Sequence, residues 1–172
     1  MSNLIPVLTK EEIEKAVSDI ARKISSDYKG CDLILIGVLK GAFIFLSDLV
    51  RQLTIPVKVD FIGLSSYGLE TSPSQSIHLT KDIEIDLKNK DVLIVEDIID
   101  TGLSLTYLVD HLKKFGPKSV KICSLLDKHE RRKADIRIDY IGHIVKKGFL
   151  VGYGLDYAEK FRNLPEVYHL KT

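Results

Sequence analysis

Residues 92–104 read VLIVEDIIDTGLS, and they decide the architecture. An apolar run, Val92 to Val95, has the pattern of a strand and leads into two adjacent carboxylates, Glu96 and Asp97. A third carboxylate, Asp100, precedes Thr101-Gly102-Leu103-Ser104, where a helix begins. Gly102 can bring the backbone close to a ligand and adopt positive φ. Free N–H groups at the helix start, with the hydroxyls of Thr101 and Ser104, make a phosphate cradle. The carboxylates repel that phosphate and suit hydroxyl donors or a hydrated metal ion. A sugar phosphate meets both halves, with its phosphate on the loop and its ribose diol on the acids. The plain alternative is a strand–loop–helix turn in which Asp100 or Thr101 caps the helix; strand, acid pair and loop together favour the ligand site.

Outward from this segment, strands and helices alternate. Thr9 and Glu12 form a capping box, and Ile13, Ala16, Val17, Ile20, Ala21 and Ile24 recur at helical spacing up to about Tyr28. Residues 33–38, LILIGV, are a continuous apolar run, as in a strand covered on both faces. Gly41 opens a helix with Ala42, Phe45, Leu46, Leu49, Val50 and Leu53 on its buried face, and residues 56–64 return as a strand. Leu105, Leu108, Val109 and Leu112 form the next helix face, stopped by Gly116-Pro117; residues 120–126 are another strand. Shorter pieces follow at 140–145 and 149–151, with a turn or two of helix near Ala158. This order predicts an α/β fold with a mainly parallel central sheet flanked by helices, whose ligands bind beyond the carboxyl ends of the strands. Residues 65–80, SSYGLETSPSQSIHLT, are polar and break the pattern, as binding loops and lids do.

The bulk numbers narrow the function. A chain of 172 residues, 45% hydrophobic and 28% charged, suits one globular domain. Its net charge of +1 gives no strong field toward nucleic acid or an anionic membrane. No apolar run reaches the ~18 residues of a spanning helix. The first residues, MSNLIPVLTKEE, lack the pattern of a signal peptide, so the expected compartment is the cytoplasm. Cys31 and Cys123 sit beside apolar runs and read as reduced, packed thiols. Several motifs fail. Gly152-Tyr153-Gly154 lacks the third glycine of a dinucleotide loop. In residues 37–41 the lysine precedes the glycine, unlike a phosphate-binding P-loop. His129-Glu130 lacks the second histidine of a zinc protease, and His78, His111, His143 and His169 have no ligand spacing.

The wording VEDIIDTG resembles the phosphoribosyl-diphosphate signature of the type I phosphoribosyltransferases, and is most similar to that of the hypoxanthine-guanine phosphoribosyltransferases. The resemblance extends over residues 33–162, through LKG at 39–41, SSYG at 65–68, LLDK at 125–128 and VGYGLDYAEKFR at 151–162, in family order. It implies the type I fold, with a core over about residues 30–135 and a small hood from residues 136–172 and the N-terminal residues. It also implies transfer of ribose 5-phosphate from phosphoribosyl diphosphate to N9 of a 6-oxopurine, with Mg2+ as cofactor and release of pyrophosphate.

By the same resemblance, Glu96 and Asp97 meet the ribose hydroxyls, and Asp100 is the general acid/base beside the purine N7. Thr101, Gly102, Leu103 and Ser104 hold the 5-phosphate. Some relatives carry Lys at the position of Leu103, so this loop has one charge fewer. Lys40 and Gly41, after a peptide bond that relatives hold cis, bind pyrophosphate together with Arg162. Lys128 donates to the purine O6, Phe149 stacks on the base, and Leu150 and Asp156 lie at its edge. Asp156 joins Glu96 and Asp97 as a metal ligand. Ser66 and Tyr67 mark a lid, and the Ser72-Pro73-Ser74-Gln75 stretch departs from glycine-containing lids. A homodimer or homotetramer is implied, with no nucleic-acid or membrane partner. Two other readings remain open: the same reaction on xanthine, and a nucleotide-binding regulator, which would need a basic face or an added DNA-binding domain.

Overall fold

The computed structural model describes the backbone of residues 3–67 and 76–171. Two sheets carry the chain. The larger has six strands, in the order β4 (Ser76–Lys81), β3 (Val57–Tyr67), β2 (Leu33–Leu39), β5 (Asp91–Ile99), β6 (Ser119–Lys128) and β7 (Tyr140–Val145). All its pairings are parallel except that of β3 with β4. The smaller is antiparallel and joins both ends of the chain: β1 (Asn3–Leu8), β9 (Val167–Lys171) and β8 (Leu150–Val151). This is the expected mainly parallel α/β fold.

The central strands are apolar throughout because both faces are covered. On β2, Leu33 and Leu35 join one core cluster while Ile34, Ile36 and Val38 join the other. On β5, Leu93 and Val95 oppose Val92 and Ile94 in the same way. Helices α1 (Lys10–Asp27) and α2 (Phe43–Gln52) cover the first face, and α3 (Leu103–Lys113) the second. Removing each such Leu, Ile or Val side chain from water contributes about 1.5–3 kcal/mol. The capping box starts α1 as expected: Thr9 Oγ1 accepts from Glu12 N at 3.2 Å, and Thr9 N donates to Glu12 Oε2 at 2.8 Å. Helix α2 begins at Phe43 with Ala42 as its cap, two residues after the glycine expected to open it.

Two expectations are corrected. Strand pairing runs into the polar stretch, with Leu64 opposite Leu79 and Ser65 opposite His78. The alternation Ile77-His78-Leu79-Thr80 is a period-two signal hidden in a polar composition, and Leu79 packs on the second core cluster. No helix forms at Ala158. Ala158 and Glu159 have φ of 50° and 63°, and Tyr157 and Lys160 exchange both backbone hydrogen bonds, so the chain reverses in a tight turn. Strands β1 and β9 were not anticipated, because each forms only by pairing with the other end of the chain. Among the described residues, no helix is long and apolar enough to cross a membrane.

Candidate active site

Strand order reverses between β2 and β5. From β2 the chain passes through α2 to β3 on one side; from β5 it passes through α3 to β6 on the other. Loops leaving two neighbouring strands in opposite directions open a crevice at their carboxyl ends. Here the crevice has a volume of about 350 Å³, and its lining includes Lys40, Gly41, Glu96, Asp97, Asp100, Thr101, Gly102, Ser104, Asp156 and Arg162. Ten positions picked out in the sequence thus share one cavity. A larger cavity of about 530 Å³ lies between α1, α2 and residues 162–165; of the expected site residues it touches only Arg162.

The loop expected to hold a phosphate turns at its glycine into the start of a helix. Gly102 caps α3 at φ 81°, a left-handed conformation that favours glycine. Leu103 N lies 3.4 Å from Thr101 Oγ1, and the Leu103 side chain is partly exposed rather than part of the cavity wall. Its missing charge therefore leaves the backbone cradle intact.

Glu96 and Asp97 are crowded against protein and each other. Ile98 N donates to Asp97 Oδ1 at 2.8 Å, and Asp97 N donates to Glu96 Oε1 at 3.2 Å. Burial, followed by the charge of Asp97, pushes the Glu96 carboxyl well above its ordinary range; burial likewise raises Asp97. Desolvated acids short of positive charge are what a site for a cation or for hydroxyl donors requires. Asp156 faces the same cavity but is held by Arg162 at 3.0 Å. Among the described residues, no three acid, histidine or cysteine groups stand close enough to hold a metal ion unaided.

Arg162 also donates to Gly154 O at 2.8 Å and lies 3.5 Å from Glu159. Lys40, reached through a cis peptide bond from Leu39, pairs with Glu159 at 2.9 Å. Glu159 lies within the VGYGLDYAEKFR motif but was given no role there; the turn that replaces the expected helix carries it to Lys40. The Lys40 hydrogen bond holds its carboxyl below the usual range.

Asp100 and Lys128 meet because β5 and β6 end in register, with Ile99 opposite Asp127. Lys128 Nζ is 3.7 Å from Asp100 Oδ2 and 3.5 Å from Glu130 Oε2. The Lys128 side chain is only 9% exposed, so it is not the solvated lysine its HERR neighbourhood suggests. Asp100 Oδ1 is buried and has no hydrogen-bond partner among the described residues. Glu130 in turn accepts from Gly148 N at 3.1 Å, which ties the Lys128 strand end to the residue before Phe149. The Phe149 ring is 49% exposed, with Tyr157 edge-on at 5.6 Å. Leu150 is buried in β8. Phe149, Leu150 and Lys128 do not line the crevice itself. Ser66 and Tyr67 end β3; their side chains, and residues 68–75, lie outside the described residues.

Sequence reasoning overlooked Arg132 and Asp127. A second arginine in a HERR run reads as a surface charge, yet Arg132 is largely buried and pairs with Asp127. The cysteines behave as expected: both are free, Cys123 is fully buried, and burial pushes its thiol upward, away from reactivity.

A family model described as a phosphoribosyl transferase domain matches residues 7–158. Over 165 residues the chain is 44% identical to the hypoxanthine-guanine phosphoribosyltransferase of Bacillus subtilis, covering 96% of this chain and 92% of that one. It is 47% identical to the enzyme of the same name from Aquifex aeolicus, covering 94% and 92%. Among solved structures, a hypoxanthine-guanine phosphoribosyltransferase from Bacillus anthracis superposes with a TM-score of 0.92 at 40% identity, covering 99% of this chain and 100% of the other. The Trypanosoma cruzi hypoxanthine phosphoribosyltransferase, in complex with the product IMP, gives 0.89 at 38% identity, covering 99% and 95%.

Proposed function

The chain belongs to the phosphoribosyltransferase family, on the branch of the hypoxanthine-guanine enzymes, and on that footing we propose that it transfers ribose 5-phosphate from phosphoribosyl diphosphate to N9 of hypoxanthine or guanine. The products are IMP or GMP and pyrophosphate, the chemistry of purine salvage. One observation carries the reading to this chain's own residues: a buried Lys128 beside an Asp100 whose second oxygen is unpartnered, at the rim of a phosphate-loop crevice.

The roles follow from charge and position. Backbone N–H groups of residues 102–104 and the hydroxyls of Thr101 and Ser104 hold the 5-phosphate at the positive end of α3. Glu96 and Asp97 accept from the ribose hydroxyls, and their negative charge favours the cationic ribose that develops as the bond to pyrophosphate breaks. Lys40 and Arg162 bind the departing pyrophosphate once their carboxylate partners yield. Asp100 takes or returns a proton at N7, a contribution of about 10²–10⁴ in rate. Lys128 donates to O6, an acceptor in hypoxanthine and guanine; adenine carries an amino donor there. Phe149 offers a ring face to the base, with Leu150 and Asp156 at its edge. Fixing both substrates in one crevice can supply about 7–11 kcal/mol of the barrier.

Glu96, Asp97 and Asp156 supply hard oxygen donors, and the raised Glu96 and Asp97 carboxyls fit a divalent cation such as Mg2+ that takes its other ligands from substrate and water. When bound, that ion neutralises the pyrophosphate and orients it. We further propose that it works as a homodimer or homotetramer in the cytoplasm. A spectroscopic assay of hypoxanthine, guanine, xanthine and adenine with phosphoribosyl diphosphate and magnesium tests the reading. Turnover of the first two supports it, xanthine as the preferred base redirects it, and no turnover with any base removes it.

A further inference from the structure

Arg132 binds the ends of two strands at once. Its Nε donates to Asp100 O at 2.9 Å, and its NH2 donates to Ile99 O and to Lys128 O, both at 3.3 Å. The same nitrogen pairs with Asp127 Oδ1. Asp127 is buried, and its other oxygen meets His129 Nε2 at 2.7 Å. Ile99 and Asp127 are the last paired residues of β5 and β6. Past them the ladder stops, yet the guanidinium still gathers carbonyls from both chains.

The two residues just past that pair are Asp100 and Lys128. The β5–β6 ladder does not fix their separation, because neither belongs to one of its register pairs; Lys128 is held only on its far side, opposite Val145 of β7. Their own contact is a single 3.7 Å ion pair, and Asp100 Oδ2 is equally far from the exposed Arg131. A purine, by contrast, is rigid: N7 and O6 sit on one edge of a planar ring at a spacing set by covalent bonds. A proton carrier and an O6 donor serve that edge only if their own spacing matches it.

We propose that Arg132 is the positioning residue that sets the spacing between Asp100 and Lys128, and so matches the site to the N7–O6 edge of a 6-oxopurine. The inference rests on the functional reading above. A planar guanidinium with donors in a fixed fork can span three carbonyls and a carboxylate; the single ammonium of a lysine cannot. Its reach is selective. No hydrogen bond of the Arg132 side chain goes to Lys40, Glu96, Asp97 or Arg162, which serve the ribose and pyrophosphate half. The hydrogen bonds of this segment to Thr101 come from the backbone, with Lys133 N and Ala134 N donating to Thr101 O, while the Arg132 side chain only packs beside Gly102, its Cδ 3.4 Å from where a Cβ there would lie.

The test is steady-state kinetics with hypoxanthine, phosphoribosyl diphosphate and magnesium on the wild type, Arg132→Lys, Arg132→Ala and Asp127→Asn, alongside thermal midpoints. For Arg132→Lys, kcat/KM for hypoxanthine is expected to fall about 10- to 100-fold, as for catalytic groups displaced by a fraction of an ångström to 1 Å. The KM for phosphoribosyl diphosphate should stay within about twofold. Added guanidinium should restore part of the hypoxanthine kcat/KM of Arg132→Ala, which a loss of general stability would not allow. Both substrates losing equally, or neither changing, overturns the proposal. Should the Arg132 variants fail to fold, Asp127→Asn decides: it removes the charge that anchors the guanidinium and leaves the carbonyl contacts, and must show the same split in milder form. Wild type that uses another base instead refutes the reading of the base, and the split is then measured with that base.

Discussion

A Cβ placed on Gly41 would lie 2.0 Å from Asp97 Oδ2 and 2.7 Å from Asp97 Cγ, so the loop after β2 and the acid near the end of β5 touch at a distance only glycine permits. This contact closes the crevice across the switch between the two strands. It also presses one of the two acids proposed for the ribose against the loop proposed for pyrophosphate.

Gly41→Ala therefore strikes both halves. The methyl group has to push Asp97 away from its hydrogen bond with Ile98 N. Overpacking of this kind costs about 1–3 kcal/mol of stability. We expect a lower melting midpoint together with a raised KM for phosphoribosyl diphosphate, read by calorimetry and initial rates. An unchanged KM would show that Asp97 does not serve the ribose.

Asp100→Ala removes the proposed proton carrier and leaves the backbone of the proposed phosphate loop. Turnover should fall about 10²- to 10⁴-fold. Binding of phosphoribosyl diphosphate, followed by titration calorimetry, should stay nearly constant. Unaltered turnover removes the assigned role.

Lys128→Ala takes away the proposed donor to O6 and leaves Asp100 and Glu130 with less compensating charge. Hypoxanthine and guanine should both lose kcat/KM, by about 10-fold or more for a buried charged donor left without its replacement. Rates equal to wild type on both bases would count against the O6 assignment.

The acid pair makes stability depend on pH in a definite direction. Burial and the neighbouring Asp97 raise the folded-state pKa of Glu96 above the ordinary 4.5. The folded chain then holds more protons than the unfolded one, so stability is complete below about that value and is lost as pH rises through the raised one. Glu96→Gln abolishes the loss. Its midpoint should exceed that of wild type at pH near 8 and match it near pH 4, shifting by about 2–4 °C for each 1 kcal/mol relieved. Magnesium should narrow the gap at pH 8 by stabilising wild type more than the variant. A midpoint equal to wild type throughout would mean the pair carries no such cost.

Glu159→Gln probes the pair at the crevice mouth. Both it and Lys40 are 66% exposed, so the melting midpoint should hardly change. Freed from its carboxylate partner, Lys40 should bind pyrophosphate more tightly, seen as stronger product inhibition. Weaker inhibition would place Glu159 among the groups that help binding.

Much of this was legible in one dimension. The alternation of apolar strands and amphipathic helices, the Thr9–Glu12 capping box, and the run from Val92 through the acids to Gly102 are local patterns. Local patterns follow from backbone periodicity and hydrogen-bonding rules that need no distant partner. That is why residues 92–104 alone already suggested a strand, a glycine turn with positive φ and a helix start, and why the structure keeps all three.

Tertiary structure decided what depends on distance between separate elements. It set the register that puts Asp100 beside Lys128, the burial that turns a lysine in a charged run into a site residue, and the contact of Gly41 with Asp97. It also turned the residues near Ala158 into a reversal that brings Glu159 to Lys40, and made Arg132 the tie between two strand ends. The physical reason is common to all of them: a charged side chain looks the same in sequence whether water or a buried carbonyl is its partner, and only the packed chain determines which.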